Sequence, residues 1–441
     1  MKLKSKIVTG LAALTVAVSG LTGCAPASDA AAGDTITYWA SNQGASLTDD
    51  AEKLQPMLDR FTAQTGVRVN LEVISWTDLY TRILTAVTSG DGPDVLNIGN
   101  TWAVTLQETG AFEPFEGAAL DAVGGQDRFL STSWAASGAA GTVPTSIPLY
   151  GLAYNLYYNP TMFAAAGIDG PPATWAEFVA DAKKLTIDTN GDGSIDQWGF
   201  TAAGASVSAN SHQVFVRGLQ NGGELFDSAG NATFATDAQI AGVKQWIDLM
   251  AVDKVMSPSD AEVADGPPKV DNFINGSAAM MFDQSPLKNF EARGFTDFAT
   301  APVPMETANA TGLEATQSHV AGINLSIFKN STNKENAIKL AAFMTSDAEQ
   351  VYLNQAFTSL PVVTAASLDA IFATPDVEAK QLALAQHAAP MPLISQEGQM
   401  ETLTGTAVKN LFAQAATTGS VTEADIRAAM TDAQNQMLAA Q

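Results

Sequence analysis

Between residues 35 and 98, short β-rich runs alternate with amphipathic helical periods, and this alternation restricts the fold more than any other feature of the chain. Thr35 to Ala40 (TITYWA) reads as a strand. Leu54, Met57, Leu58 and Phe61 then recur at helical spacing, and Gly66 stops the helix. Val67, Val69, Leu71 and Val73 alternate with polar residues as a second strand. Tyr80, Ile83, Leu84 and Val87 mark the next helix. The turn Gly90-Asp91-Gly92-Pro93 leads to a third strand at Asp94 to Ile98. Strands separated by helices pair in parallel, so the fold class is α/β with βαβ units. Ligands of such sheets bind at the carboxyl ends of the strands. The loops to watch are therefore Ser41-Asn42-Gln43 and Gly99-Asn100-Thr101-Trp102.

Further on, Pro148-Leu149-Tyr150-Gly151 leads into an apolar run, Leu152 to Tyr158, read as one strand. Thr174 is placed to cap a helix carrying Trp175, Phe178, Val179 and Ala182. Helical periods recur at 237–252, 333–345 and 422–438. Length alone fits roughly two to three domains.

The beginning of the chain reads as an export signal over residues 1–23. Lys2, Lys4 and Lys6 precede an apolar stretch from Ile7 to Ser19, too short to span a bilayer core of ~30 Å. Leu21-Thr22-Gly23-Cys24 follows, and it resembles the bacterial lipobox, in which the Cys is lipidated and becomes the first mature residue. Cys24 is the only cysteine, so no disulfide, thiolate zinc site or cysteine nucleophile is expected. Residues 24–33 read as a tether. The expected location is extracytoplasmic, lipid-anchored to the cell membrane. Without the three signal lysines, 19 basic residues face 46 acidic ones, a formal −27, which excludes nucleic acid as a partner.

Six segments, in order, resemble the extracellular solute-binding proteins of ABC importers, of the maltose-binding type. They are Phe61 to Val69, Ser89 to Val95, Tyr157-Tyr158-Asn159-Pro160, Pro172 to Phe178, Asn275 to Met281 and Ala337 to Ser346. The resemblance runs through residues 34–441 and implies two α/β lobes with a ligand cleft between them. Lobe one would be 34–148 plus 303–357, and lobe two 149–302 plus 358–441. It implies a monomer that takes a small-molecule carbohydrate, an oligosaccharide, and docks on ABC permease subunits after lobe closure. No catalysis is implied.

Sugar sites want aromatic plates for ring faces and polar side chains for hydroxyls. Trp102 ends a strand in a polar loop and is the leading plate; Trp39 ends strand one, where a core role competes. Asn42, Gln43 and Asn100 stand at the same strand ends, where turn chemistry is the alternative. From the resemblance come Tyr150 beside the lobe crossing, Ser211 in the second lobe, Asp283 at a strand end and His319. Asp283 competes with a helix-cap role, and His319 with that of a satisfied core histidine. The positions where the family often carries cleft aromatics read Pro286-Leu287 and Gln399-Met400, a departure from maltose specificity.

No cofactor is required by this reading. The turn Asp188-Thr189-Asn190-Gly191-Asp192-Gly193-Ser194-Ile195-Asp196 fits the first nine places of an EF-hand loop, with Asp188, Asn190, Asp192, the Ser194 carbonyl and Asp196 as ligands for structural calcium. Position 12 is Gly199, so the bidentate Glu is missing, and a plain polar turn is the alternative. Two other functions stay open. One is a binding protein for a non-sugar solute, a polyol phosphate or a polyamine. The other is a secreted glycoside hydrolase, whose carboxylate pair is not fixed by chain spacing.

Overall fold

The computed structural model describes residues 35–440 apart from 45 and 265. The export signal, Cys24 and the tether lie outside the described residues. Two separate sheets organise the chain. The first has five strands in the order β2-β1-β3-β9-β4. Its strands are β1 (Thr35–Ser41), β2 (Arg68–Ile74), β3 (Val95–Gly99), β4 (Ser146–Leu152) and β9 (Ala321–Ile327). β1 pairs in parallel with β2 and β3, as alternating strands and helices require, while β9 runs antiparallel between β3 and β4. The connecting helices are α1 (Leu47–Thr65) and α2 (Trp76–Ser89). α1 starts where the Ser46 side chain accepts the Asp49 N–H, and ends where Gly66 turns left-handed at φ 78°, a conformation that disfavours a Cβ.

The second sheet is antiparallel, in the order β6-β5-β7, formed by Met280–Asp283, Asn155–Tyr158 and Ala299–Pro302. A short parallel pair joins β8 (Ser318–His319) to β10 (Ala388–Ala389). The apolar run read as one strand is therefore two pieces in different sheets. β4 ends at Leu152, β5 starts at Asn155, and Ala153-Tyr154 carry the chain from one lobe to the other.

The cores follow the sheets. Tyr38, Phe61, Ile147, Leu325 and Leu340 pack in the first lobe. Phe178, Phe200, Trp246, Phe282 and Phe412 pack in the second, where Phe178 and Phe282 stack at 5.3 Å. Trp175 and Trp246 are core residues, 6% and 4% exposed. The Trp175 helix begins in a capping box, with Thr174 and Glu177 satisfying each other's backbone donors. Val362, Val363 and Ala366 pack in the first core, and Met391 onward in the second. The last passage between lobes thus lies after residue 366, later than the expected 358, because the segment following Phe357 buries its valines against lobe one.

Candidate functional site

The three passages between lobes gather in one place: Tyr154 on the first, His319 on the second, and the β10 segment paired beside β8 on the third. Against them lies the start of the Glu397–Thr418 helix of lobe two, which touches the loop after β3.

On the lobe-one side, β3 ends at Gly99 and a single turn, Asn100–Trp102, leads into α3 (Ala103–Glu108). A Cβ at Gly99 would stand 3.3 Å from the Trp102 ring, so glycine lets the indole fold back over the strand end. Trp76 and Tyr80, one turn apart on α2, pack on that indole with ring centroids 5.4 and 4.8 Å away. The three rings form a half-exposed aromatic wall. Asn100 is buried, and its amide donates to the Val320 carbonyl at 2.7 Å, tying the turn to the second passage.

The second lobe meets this wall closely. Thr105 Oγ1 donates to the Ser395 carbonyl at 2.8 Å. A Cβ at Gly398 would stand 3.0 Å from Tyr80 Oη, so glycine permits the approach. Beside the contact a cavity of about 460 Å³ opens between the lobes, lined by Val104, Glu108 and Ala139 on one side and Asn231, Ser395 and Gln396 on the other.

Beneath lies a polar cluster. Tyr154 Oη is 3.2 Å from His212 Nδ1. The His212 and His319 rings stack at 3.9 Å. His212 Nε2 stands 3.3 Å from Glu401 Oε1, without the alignment of a hydrogen bond. Ser211 Oγ is bonded to Thr404 Oγ1 at 2.9 Å, joining the Val207–Gln220 helix to the Glu397–Thr418 helix. Burial, and then the neighbouring His212, push the His319 imidazolium well below the usual range, so His319 is neutral. Burial, and then Glu401, push the Glu397 carboxyl well up. Tyr80 is raised by burial, then by Glu401 and Glu397, which places both acids beside the aromatic wall.

Of the residues singled out in the sequence, Trp102, Asn100, His319 and Ser211 come together here. Trp39 packs in the same apolar cluster as Trp102, but the Arg82 guanidinium covers its ring at 4.4 Å. Asn42 and Gln43 serve the local turn: the Asn42 amide donates to Asp50 Oδ2 at 2.8 Å, and the Gln43 N–H donates to the same oxygen. Tyr150 is 2% exposed and packs edge-on against Phe357 at 5.6 Å, a core contact of lobe one. Asp283 is paired with Lys269 at 2.6 Å and accepts the Ser285 N–H at 2.8 Å; it caps no helix. In the 188–196 turn, Asp188 accepts the N–H groups of Gly191 and Gly193, Asp192 that of Ser194, and Asp196 that of Thr189. No cluster of three His, Cys, Asp or Glu with metal-holding geometry occurs among the described residues.

Sequence reading missed Tyr80, Trp76, Tyr154, Glu397 and Glu401 as site residues. Glu-x-x-x-Glu at the head of a helix was the available signal for the last pair.

Comparison with known proteins follows the same lines. The model of the bacterial extracellular solute-binding protein family matches residues 44–351. A putative binding protein of Brucella abortus (strain 2308) is 26% identical over 300 residues, 67% of this chain and 69% of that one. Among solved structures, a solute-binding protein of Thermotoga lettingae bound with alpha-D-tagatose superposes with a TM-score of 0.77 at 22% identity, covering 91% of this chain and 99% of that one. The substrate-binding protein Lmo0181 of Listeria monocytogenes, in complex with cycloalternan, gives 0.75 at 20% identity, with 91% and 98% covered.

Proposed function

The chain belongs to the bacterial extracellular solute-binding protein family, and we propose that it captures a carbohydrate, an oligosaccharide, outside the cell and delivers it to a membrane ABC importer by lobe closure. The observation that carries this reading is the meeting of an aromatic wall from one lobe, Trp102 with Tyr80 and Trp76, and a polar helix start from the other, at the point where the chain passes between them. Ring faces suit the first and hydroxyls the second. Relatives of the same fold that hold cycloalternan and tagatose support a polyhydroxylated ligand. A solute touching both lobes stabilises the closed form by the contacts that only that form offers, and the closed form is what a permease reads.

Binding proceeds without turnover. The protein works as a monomer, held at the membrane by lipid on Cys24.

A thermal-shift screen of the mature chain against mono- and oligosaccharides, polyols, phosphates and amines tests the reading. A ligand at a hundred times its Kd adds about 2.7 kcal/mol and must raise the melting temperature. A shift with phosphates or purely aliphatic amines and with no carbohydrate would overturn it, and release of shorter sugars from an oligosaccharide would replace it with the hydrolase.

A further inference from the structure

The two carboxylates at the head of the Glu397–Thr418 helix lack what buried carboxylates normally have. Glu397 is wholly buried, and neither of its oxygens has a hydrogen-bond partner. Glu401, one turn along and 6% exposed, has only the unaligned His212 nitrogen near Oε1. Among the described residues no Lys or Arg pairs with either acid. A helix start favours negative charge, but by far less than the cost of burying an unpartnered carboxylate. A second group in the cluster is also unfinished: His319 Nδ1, on a side chain 2% exposed, has no partner. Unsatisfied polar atoms on Glu397, Glu401 and His319, linked through His212 in one cluster between two lobes, mark a place that a ligand completes.

The chemistry that completes it follows from the donor count. A carboxylate only accepts hydrogen bonds, and two of them one turn apart repel in a buried site. His319, held neutral, supplies no countercharge. Neutral hydroxyls would bring no countercharge, so Glu397 would keep the proton that burial favours and could not accept at both oxygens. An ammonium group supplies three donors and a positive charge together. We propose that Glu397 and Glu401, backed by His212 and His319, hold a protonated amine, so that the solute of this chain is a polyhydroxylated molecule carrying a basic nitrogen. The assignment rests on the solute-capture reading above and narrows it. Asp283, the carboxylate singled out in the sequence, is spent on Lys269, and the pair at 397 and 401 stands in its place.

The test compares matched sugars that differ at one group: glucosamine with glucose, chitobiose with cellobiose, and chitotriose with cellotriose, titrated calorimetrically into the mature chain at pH 6.5. In at least one pair the amine is expected to bind tenfold or more tighter than its hydroxyl counterpart. Glu397→Gln and Glu401→Gln are each expected to lose tenfold for that amine and less than threefold for the hydroxyl sugar. Melting temperatures of the unliganded variants check that both remain folded. Amine binding should also release protons, read as a dependence of the heat on buffer ionisation enthalpy, because a cation expels the proton that burial favours on Glu397. Equal binding within every pair, or full amine affinity in both variants, overturns the subsite while leaving sugar capture intact. If no amine binds but a neutral carbohydrate from the screen does, the subsite is likewise refuted; if nothing in the screen binds, both readings fall.

Discussion

Gly398→Ala probes the lobe contact itself. The new Cβ would lie 3.0 Å from Tyr80 Oη, with Tyr80 Cζ at 3.6 Å and Thr105 Oγ1 at 3.9 Å, so the phenolic oxygen is the one atom that must yield. Oversized groups in packed sites cost about 1–3 kcal/mol, and the low end applies where a single atom is in the way. The helix itself gains at most about 1 kcal/mol from replacing glycine. The gain is present in open and closed forms alike, whereas the clash exists only when the lobes meet. The unliganded melting temperature should therefore hold or rise slightly, while affinity for the best-stabilising carbohydrate of the screen falls about fivefold, close to 1 kcal/mol. Tyr80→Phe removes the obstructing oxygen and leaves the nearest atom at ordinary contact distance. In that background Gly398→Ala should cost nothing, giving a coupling of about 1 kcal/mol in a double-mutant cycle. Equal loss in both backgrounds, or none in either, would refute the idea that this contact belongs to the closed, ligand-holding form.

Trp102→Ala should weaken the same ligand by about 1–3 kcal/mol if its indole stacks on the solute, measured by titration; unchanged affinity would remove the aromatic wall from the site. Asp260, beneath the second sheet, is pushed up to about 7 by burial against an ordinary 3.8, so the folded state holds its proton longer than the unfolded chain. Its contribution is therefore full below about pH 4 and lost as pH rises to about 7, by at most about 4 kcal/mol. Asp260→Asn should flatten that part of the urea-unfolding profile between pH 4 and 8, and parallel profiles would contradict this. In the 188–196 turn the carboxylates already accept backbone N–H groups, so chelator-treated protein is expected to take up no calcium tighter than about 10⁻⁴ M by calorimetry. Tighter uptake would show that the turn rearranges around the ion.

The parallel half of the first sheet was legible because period-2 and period-3.6 patterns alternate cleanly there, with Gly66 and Gly90 marking both helix ends. Trp102 was legible for a topological reason, its place at the carboxyl end of a strand. The passage at Ala153-Tyr154 was not, since both flanking strands are buried and the run from Leu152 to Tyr158 shows no local break. Tyr80 shares its helical spacing with Ile83 and so reads as a core face; only the fold shows it turned toward the other lobe. Glu397 and Glu401 look like a solvated helix start, because burial by a segment some 300 residues away leaves no mark in the local sequence. Asn42 and Gln43 went the other way: their partner, Asp50, lies seven or eight residues on, and turn chemistry accounts for them.

Three passages between lobes also set the order in which the protein can be assembled. The first core needs Ile323 to Phe357 and then Val362 and Ala366, and the second needs helices reaching Met437. Neither lobe is a continuous piece of chain, so neither can finish packing while a large C-terminal part is missing. A ribosome or translocation pore releasing this polypeptide from its N-terminus would hold both cores incomplete until Ala366 had emerged, and the second until its last helix followed, so the first lobe can close ahead of the second.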